Sequence, residues 1–185
     1  MGKYIYEDVK DFNLDHIFDC GQCFRWSRQP DGSYTGIAMG KPVNVSLVEA
    51  PACDGYGAAG SFGQNCGAAA NNAGGRPESD RWAKPRLDLV IDNCSEEDFE
   101  KIWRSYLDLD RDYGAIKAAL SESDEVMAKA ISGGEGIRIL RQELWETMVS
   151  FIISQNNNIP RIKGCIEKLA RIFGEPAGEY GGVEY

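Results

Sequence analysis

The sequence predicts an α+β fold: a twisted antiparallel β-sheet carrying some helix, followed by a run of helices. Two observations make that prediction. Up to Ile91 the apolar residues alternate in short segments between Gly and Pro turns, and after Asn93 they recur at helical spacing. The change of period divides the chain into an antiparallel β domain over residues 1–110 and a helical part over residues 111–185.

Strands are expected over residues 4–9, 12–18, 24–28, 33–38 and 43–48, with Pro30-Asp31-Gly32 and Gly40-Lys41-Pro42 as turns. From Ala50 to Arg76, Gly, Ala and Asn supply 18 of 27 positions, a composition that cannot fill a core. Residues 50–84 therefore read as a flexible insert between neighbouring strands, because residues 86–91 (RLDLVI) resume the alternation directly afterwards.

Helices follow. Ser95-Glu96-Glu97-Asp98 resembles a capping box, and Phe99, Ile102, Trp103 and Tyr106 recur behind it. A second helix starts near Asp112 with Ile116 and Leu120. A third starts near Ser123, bears Val126, Met127 and Ile131, and stops at Gly133-Gly134. The fourth, over residues 142–154, is apolar almost all round (Leu144, Trp145, Met148, Val149, Phe151, Ile152, Ile153), which predicts burial. The fifth has Asn158 as N-cap, Pro160 in its first turn and an apolar stripe of Ile162, Cys165, Ile166, Leu169, Ala170 and Phe173, closed by Gly174. On its polar face Lys163 and Lys168 read as solvated or phosphate-facing. After Gly174 the sequence reads as loop and stops at Tyr185 with no closing element, the pattern of a truncated fold.

No run approaches the roughly 18 apolar residues a membrane helix needs, so a cytoplasmic protein is expected, beside the nucleoid if the cell is bacterial. The six cysteines lack the spacing of a disulfide framework and read as reduced thiols. Cys20 and Cys23, with His16 upstream, could supply half a zinc site, but no later cysteine pair stands at ligand spacing. Neither a metal nor a cofactor is expected. The net charge of −9 opposes DNA wrapping by bulk electrostatics. Residues 136–174 depart from it, with six basic residues (Arg138, Arg141, Arg161, Lys163, Lys168, Arg171) against three acidic ones.

Three asparagines, Asn156, Asn157 and Asn158, sit between the fourth and fifth helices, at a positive helix N-terminus. Their amides can donate and accept, which suits phosphates or base edges. The same residues equally make a tight left-handed turn closed by an N-cap. At the other end, Gly21-Gln22 reads either as a turn leading into a strand, with Phe24 and Trp26 as core, or as a point of close backbone approach to a ligand.

Two strings lie in a telling order: Cys20-Gly21-Gln22-Cys23-Phe24-Arg25-Trp26, and later Gly136-Ile137-Arg138-Ile139-Leu140-Arg141-Gln142 with Phe151-Ile152-Ile153-Ser154-Gln155-Asn156-Asn157-Asn158-Ile159-Pro160-Arg161-Ile162. Together they resemble the 8-oxoguanine DNA glycosylase and abasic-site lyase family of the helix-hairpin-helix superfamily, over most of the chain outside the insert. The resemblance implies a TATA-binding-protein-like β domain and the first helices of an all-α helix-hairpin-helix domain.

The resemblance also implies roles. Asn156 would fill the gap left by a flipped nucleotide, Arg161 would read the orphaned cytosine, and Asn157 and Asn158 would complete the DNA-binding turn. The Gly21 carbonyl would recognise the lesion: N7 is an acceptor in guanine but carries hydrogen in 8-oxoguanine. The partner would be double-stranded DNA with 8-oxoguanine opposite cytosine. No lysine of this chain matches the family's Schiff-base nucleophile, so that lysine and its assisting aspartate are expected beyond Tyr185 and the chain alone is expected to be inactive. A non-catalytic module binding DNA or protein is the competing expectation. An exposed apolar surface, able to mediate dimers without physiological meaning, is expected where further helices would dock.

Overall fold

The computed structural model describes residues 2–50 and 85–185. The expected insert falls, apart from Ala50, outside the described residues.

Five strands, β1 (Lys3–Tyr6), β2 (Trp26–Arg28), β3 (Tyr34–Ala38), β4 (Lys41–Glu49) and β5 (Leu87–Asp92), form one antiparallel sheet in the order β1-β5-β4-β3-β2. The register puts Val45 opposite Tyr34 on one side and Ile91 on the other, so these side chains share a face. That face is dry: Tyr34, Val43, Val45, Leu89 and Ile91 are buried. The opposite face carries a polar ladder, in which Asn44 Nδ2 donates to Ser33 Oγ at 2.8 Å and to Thr35 Oγ1 at 2.9 Å.

Residues 12–18, expected as strand, correct to a helix. Here α1 (Leu14–Phe18) is capped by Asn13, whose side chain accepts from the His16 N–H. Leu14, Ile17 and Phe18 stand at helical i, i+3, i+4 spacing and all point into the core. In so short a segment the alternation of Phe12, Leu14 and His16 competes with that pattern, and packing decides between them.

After β5 a continuous helix begins as α2 (Glu96–Asp98), capped by Ser95, passes through a π-helical stretch (Phe99–Trp103) and ends as α3 (Arg104–Tyr106). The widened turn leaves Phe99, Trp103 and Tyr106 all buried. With Phe18, Trp26 and Tyr34 they build an aromatic centre: Trp26 stacks on Phe18 with centroids 4.2 Å apart, and its Nε1 donates to Tyr106 Oη at 3.1 Å. Trp26 is core, as expected; Phe24 is only half-buried.

Four further helices follow: α4 (Tyr113–Ser121), α5 (Glu125–Gly133), α6 (Leu144–Ser154) and α7 (Ile159–Phe173). The expected third helix is capped by Asp124, one residue past the expected start. The burial expected for α6 is overturned, for Trp145 is 70% exposed and Phe151 65% exposed. Its all-round apolar sequence meets packed neighbours on too few sides to be covered by the residues described. The expected closing loop contains a small hairpin, β6 (Glu179–Tyr180) with β7 (Val183–Glu184). No helix among the described residues is long and apolar enough to cross a membrane.

Candidate nucleic-acid interface

The three asparagines between α6 and α7 divide their work. Asn158 caps α7, its Oδ1 accepting the Arg161 backbone N–H at 3.1 Å. Asn157 Nδ2 donates to Ile153 O at 3.0 Å and its Oδ1 accepts the Asn158 N–H, closing the end of α6. Asn156 holds a left-handed backbone, φ +52°, a conformation asparagine tolerates. Its side chain is exposed and takes no hydrogen bond among the described residues. Two amides therefore build the turn and the third is displayed by it.

Behind this turn α7 is strongly two-sided. Ile162 and Ile166 are buried, Pro160 sits in the first turn, and the Gly174 N–H donates to Ala170 O at 2.7 Å to close the last one. The Arg161 guanidinium projects from the exposed first turn with no hydrogen bond or ion pair among the described residues. A free fork there can donate to a base edge rich in acceptors.

The local excess of positive charge mostly serves the fold. Arg138 is 3% exposed and donates to three carbonyls: Asp108 O at 2.6 Å, Lys10 O at 2.7 Å and Asp11 O at 3.0 Å. Its guanidinium also lies over the Tyr113 ring, 4.6 Å from the centroid. Arg141 grips the buried Asp108 carboxylate through Nε at 3.0 Å and Nη2 at 2.9 Å. Arg171 pairs with Glu167 one turn away. Lys163, expected to be solvated or to face phosphate, is corrected: it is half-buried, and its Nζ donates to Trp26 O at 2.9 Å. Of the six, only Arg161 and Lys168 have charged groups with no hydrogen-bond or ion-pair partner among the described residues.

Gly21, on the turn between α1 and β2, has φ +87°, which an L side chain adopts only with strain. A Cβ there would meet no atom within 4 Å, so the backbone needs glycine while the space above it stays open. The next residue, Gln22, escapes a reading of local sequence. Its Nε2 donates to Ile17 O at 2.8 Å and to Arg138 O at 2.9 Å, its Oε1 accepts the Leu140 N–H at 3.0 Å, and its carbonyl accepts Gln142 Nε2 at 2.6 Å. The two motifs thus interlock. The Lys163 bond to Trp26 likewise joins α7 to the strand that follows Gly21.

Around the cysteines, His16 Nδ1 lies 2.7 Å from Glu135 O, Cys20 is exposed, and burial pushes the Cys23 thiol well up. No three metal-ligating side chains cluster among the described residues. A cleft of about 680 Å³ opens beside α6 and α7, with Arg25, Glu146 and Arg171 among its lining. Burial raises the Glu146 carboxyl, against a partly offsetting attraction from Arg25.

A family model described as "8-oxoguanine DNA glycosylase, N-terminal domain" matches residues 4–148. An N-glycosylase/DNA lyase of Saccharomyces cerevisiae is 48% identical over 63 residues, covering 34% of this chain and 16% of the relative. The Arabidopsis thaliana N-glycosylase/DNA lyase OGG1 is 26% identical over 175 residues, 95% of this chain and 39% of the relative. Among solved structures, MBOgg1 in complex with a low-affinity DNA ligand is 44% identical, with a TM-score of 0.74, over 100% of this chain and 51% of that one. The 8-oxoguanine glycosylase/lyase of Clostridium acetobutylicum, in complex with double-stranded DNA containing cytosine opposite 8-oxoguanine, is 39% identical, with a TM-score of 0.72, over 98% of this chain and 52% of that one. The chain thus spans about half the length of the solved relatives, and less of the curated ones.

Proposed function

Because the chain belongs to the family of 8-oxoguanine DNA glycosylase N-terminal domains, we propose that it is the lesion- and strand-reading part of a base-excision repair N-glycosylase and DNA lyase acting on 8-oxoguanine opposite cytosine. Residues 1–110 supply the β domain, and the helices from residue 111 onward open a helix-hairpin-helix glycosylase domain. Extruding a nucleotide from the duplex costs a few kcal/mol of stacking and pairing. The displayed Asn156 amide reoccupies part of that space, with Asn157 and Asn158 holding the turn rigid beneath it. Arg161 donates to the O2 and N3 acceptors of the orphaned cytosine, and the Gly21 carbonyl accepts the N7 hydrogen that only the oxidised base carries.

The observation that carries this reading is the pairing of a displayed amide and a free guanidinium on one turn, in a region whose other arginines are bonded internally. The catalytic lysine is proposed to lie outside this chain, in keeping with the tie of Lys163 to a backbone carbonyl. The test is duplex binding and borohydride trapping by the full-length protein. Preference for 8-oxoguanine·cytosine over guanine·cytosine, with a trapped adduct that residues 1–185 alone do not form, is expected; equal affinity for both duplexes would sink the proposal.

A further inference from the structure

We infer that Gln22 is a positioning residue that aims the Gly21 carbonyl, and so sets how well the protein tells the oxidised base from the normal one. The inference rests on the reading of Gly21 given above and deepens it. Gly21 has no side chain to fix it, sits exposed at φ +87°, and meets nothing within 4 Å of its would-be Cβ. A glycine so placed has a wide choice of backbone angles, yet a reading carbonyl must hold one direction.

The Gly21 carbonyl belongs to the planar peptide whose far end is Gln22. Fixing Gln22 therefore fixes that plane from one side. Gln22 is held at three points: both amide hydrogens are used, on Ile17 O and Arg138 O; the amide oxygen takes the Leu140 N–H; and the backbone carbonyl takes Gln142 Nε2. Three of these four bonds reach residues 116 to 120 positions away, so the turn is referred to the segment that Arg138 anchors in the core. A glutamine side chain saturated in this way serves better as a strut than as a ligand, since both hydrogens of its amide are already donated within the protein.

The experiment compares Gln22→Met and Gln142→Leu with the unsubstituted full-length protein. Binding is measured to duplexes carrying 8-oxoguanine opposite cytosine, guanine opposite cytosine, and 8-oxoguanine opposite adenine. Gln22→Met should lower the preference for 8-oxoguanine over guanine about tenfold, the value of one well-aimed hydrogen bond, and leave the preference for cytosine over adenine opposite the lesion unchanged. Gln142→Leu, which removes one of the four bonds, should give a smaller loss of the same kind and guards against a Gln22 variant that fails to fold. If both folded variants keep the lesion preference, or lose both preferences together, the positioning role is wrong while the reading of Gly21 stands. An unsubstituted protein with no preference for the lesion would overturn that reading and this inference with it.

Discussion

The segment around residues 136–142 and the turn around residues 156–161 draw on the same chemistry, arginine and amide side chains beside left-handed backbone, and put it to opposite use. In the first, Arg138 satisfies three carbonyls, Gln142 a fourth, and Arg141 a buried carboxylate. In the second, Asn156 and Arg161 end in open space. The contrast teaches that counting basic residues overstates a DNA surface. Four of the six basic residues in 136–174, Arg138, Arg141, Lys163 and Arg171, are bonded within the described residues, and under the proposed function base reading would fall to the few groups left free.

The strongest way to break this contrast is at Arg138. Arg138→Ala strands three carbonyls in the interior and should reduce stability by about 3 to 5 kcal/mol in urea denaturation; a loss below about 1 kcal/mol would mean the anchor is not one. Next is Gly136→Ala. Gly136 sits at φ +77°, and an added Cβ would fall 2.6 Å from Asn13 Cβ and 2.7 Å from its backbone nitrogen, at the cap of α1. A loss of about 2 to 4 kcal/mol is expected by the same measurement.

On the other side of the comparison, Lys168→Ala should leave stability within about 0.5 kcal/mol of the original. If its free ammonium meets a phosphate, the slope of log affinity against log salt concentration falls by about one. The smallest effect is expected at Glu146, where burial raises the carboxyl. A raised value means the folded state holds the proton more tightly, so this contribution to stability is present at low pH and lost as pH rises through the folded-state value. Glu146→Gln should therefore be the more stable form at pH 7, and the two should converge as pH drops below the ordinary glutamate value of 4.5, read from thermal melts across pH.

Much of this was legible in sequence because the deciding signals are local. The N-cap at Asn158, the proline beside it and the stripe through Ile162 and Ile166 predict α7 with its boundaries, and the alternation up to Ile91 predicts all five strands of the sheet. The helix at Leu14–Phe18 was missed because two periods compete over five residues, although Asn13 followed by i, i+3, i+4 apolar spacing is a signal that favours helix. The roles of Gln22, Arg138 and Lys163 are hidden for a different reason: each bonds a carbonyl more than a hundred residues away along the chain, and a carbonyl acceptor leaves no mark in the sequence. Exposure of α6 is likewise a tertiary fact that an all-round apolar helix cannot announce.

Opposite-base selectivity tests the central claim most directly. Binding of the full-length protein to 8-oxoguanine opposite cytosine and opposite adenine should favour cytosine, and Arg161→Ala should reduce that preference about tenfold or more while leaving thermal stability unchanged. An Arg161→Ala protein that remains folded and retains its selectivity for cytosine would contradict the account.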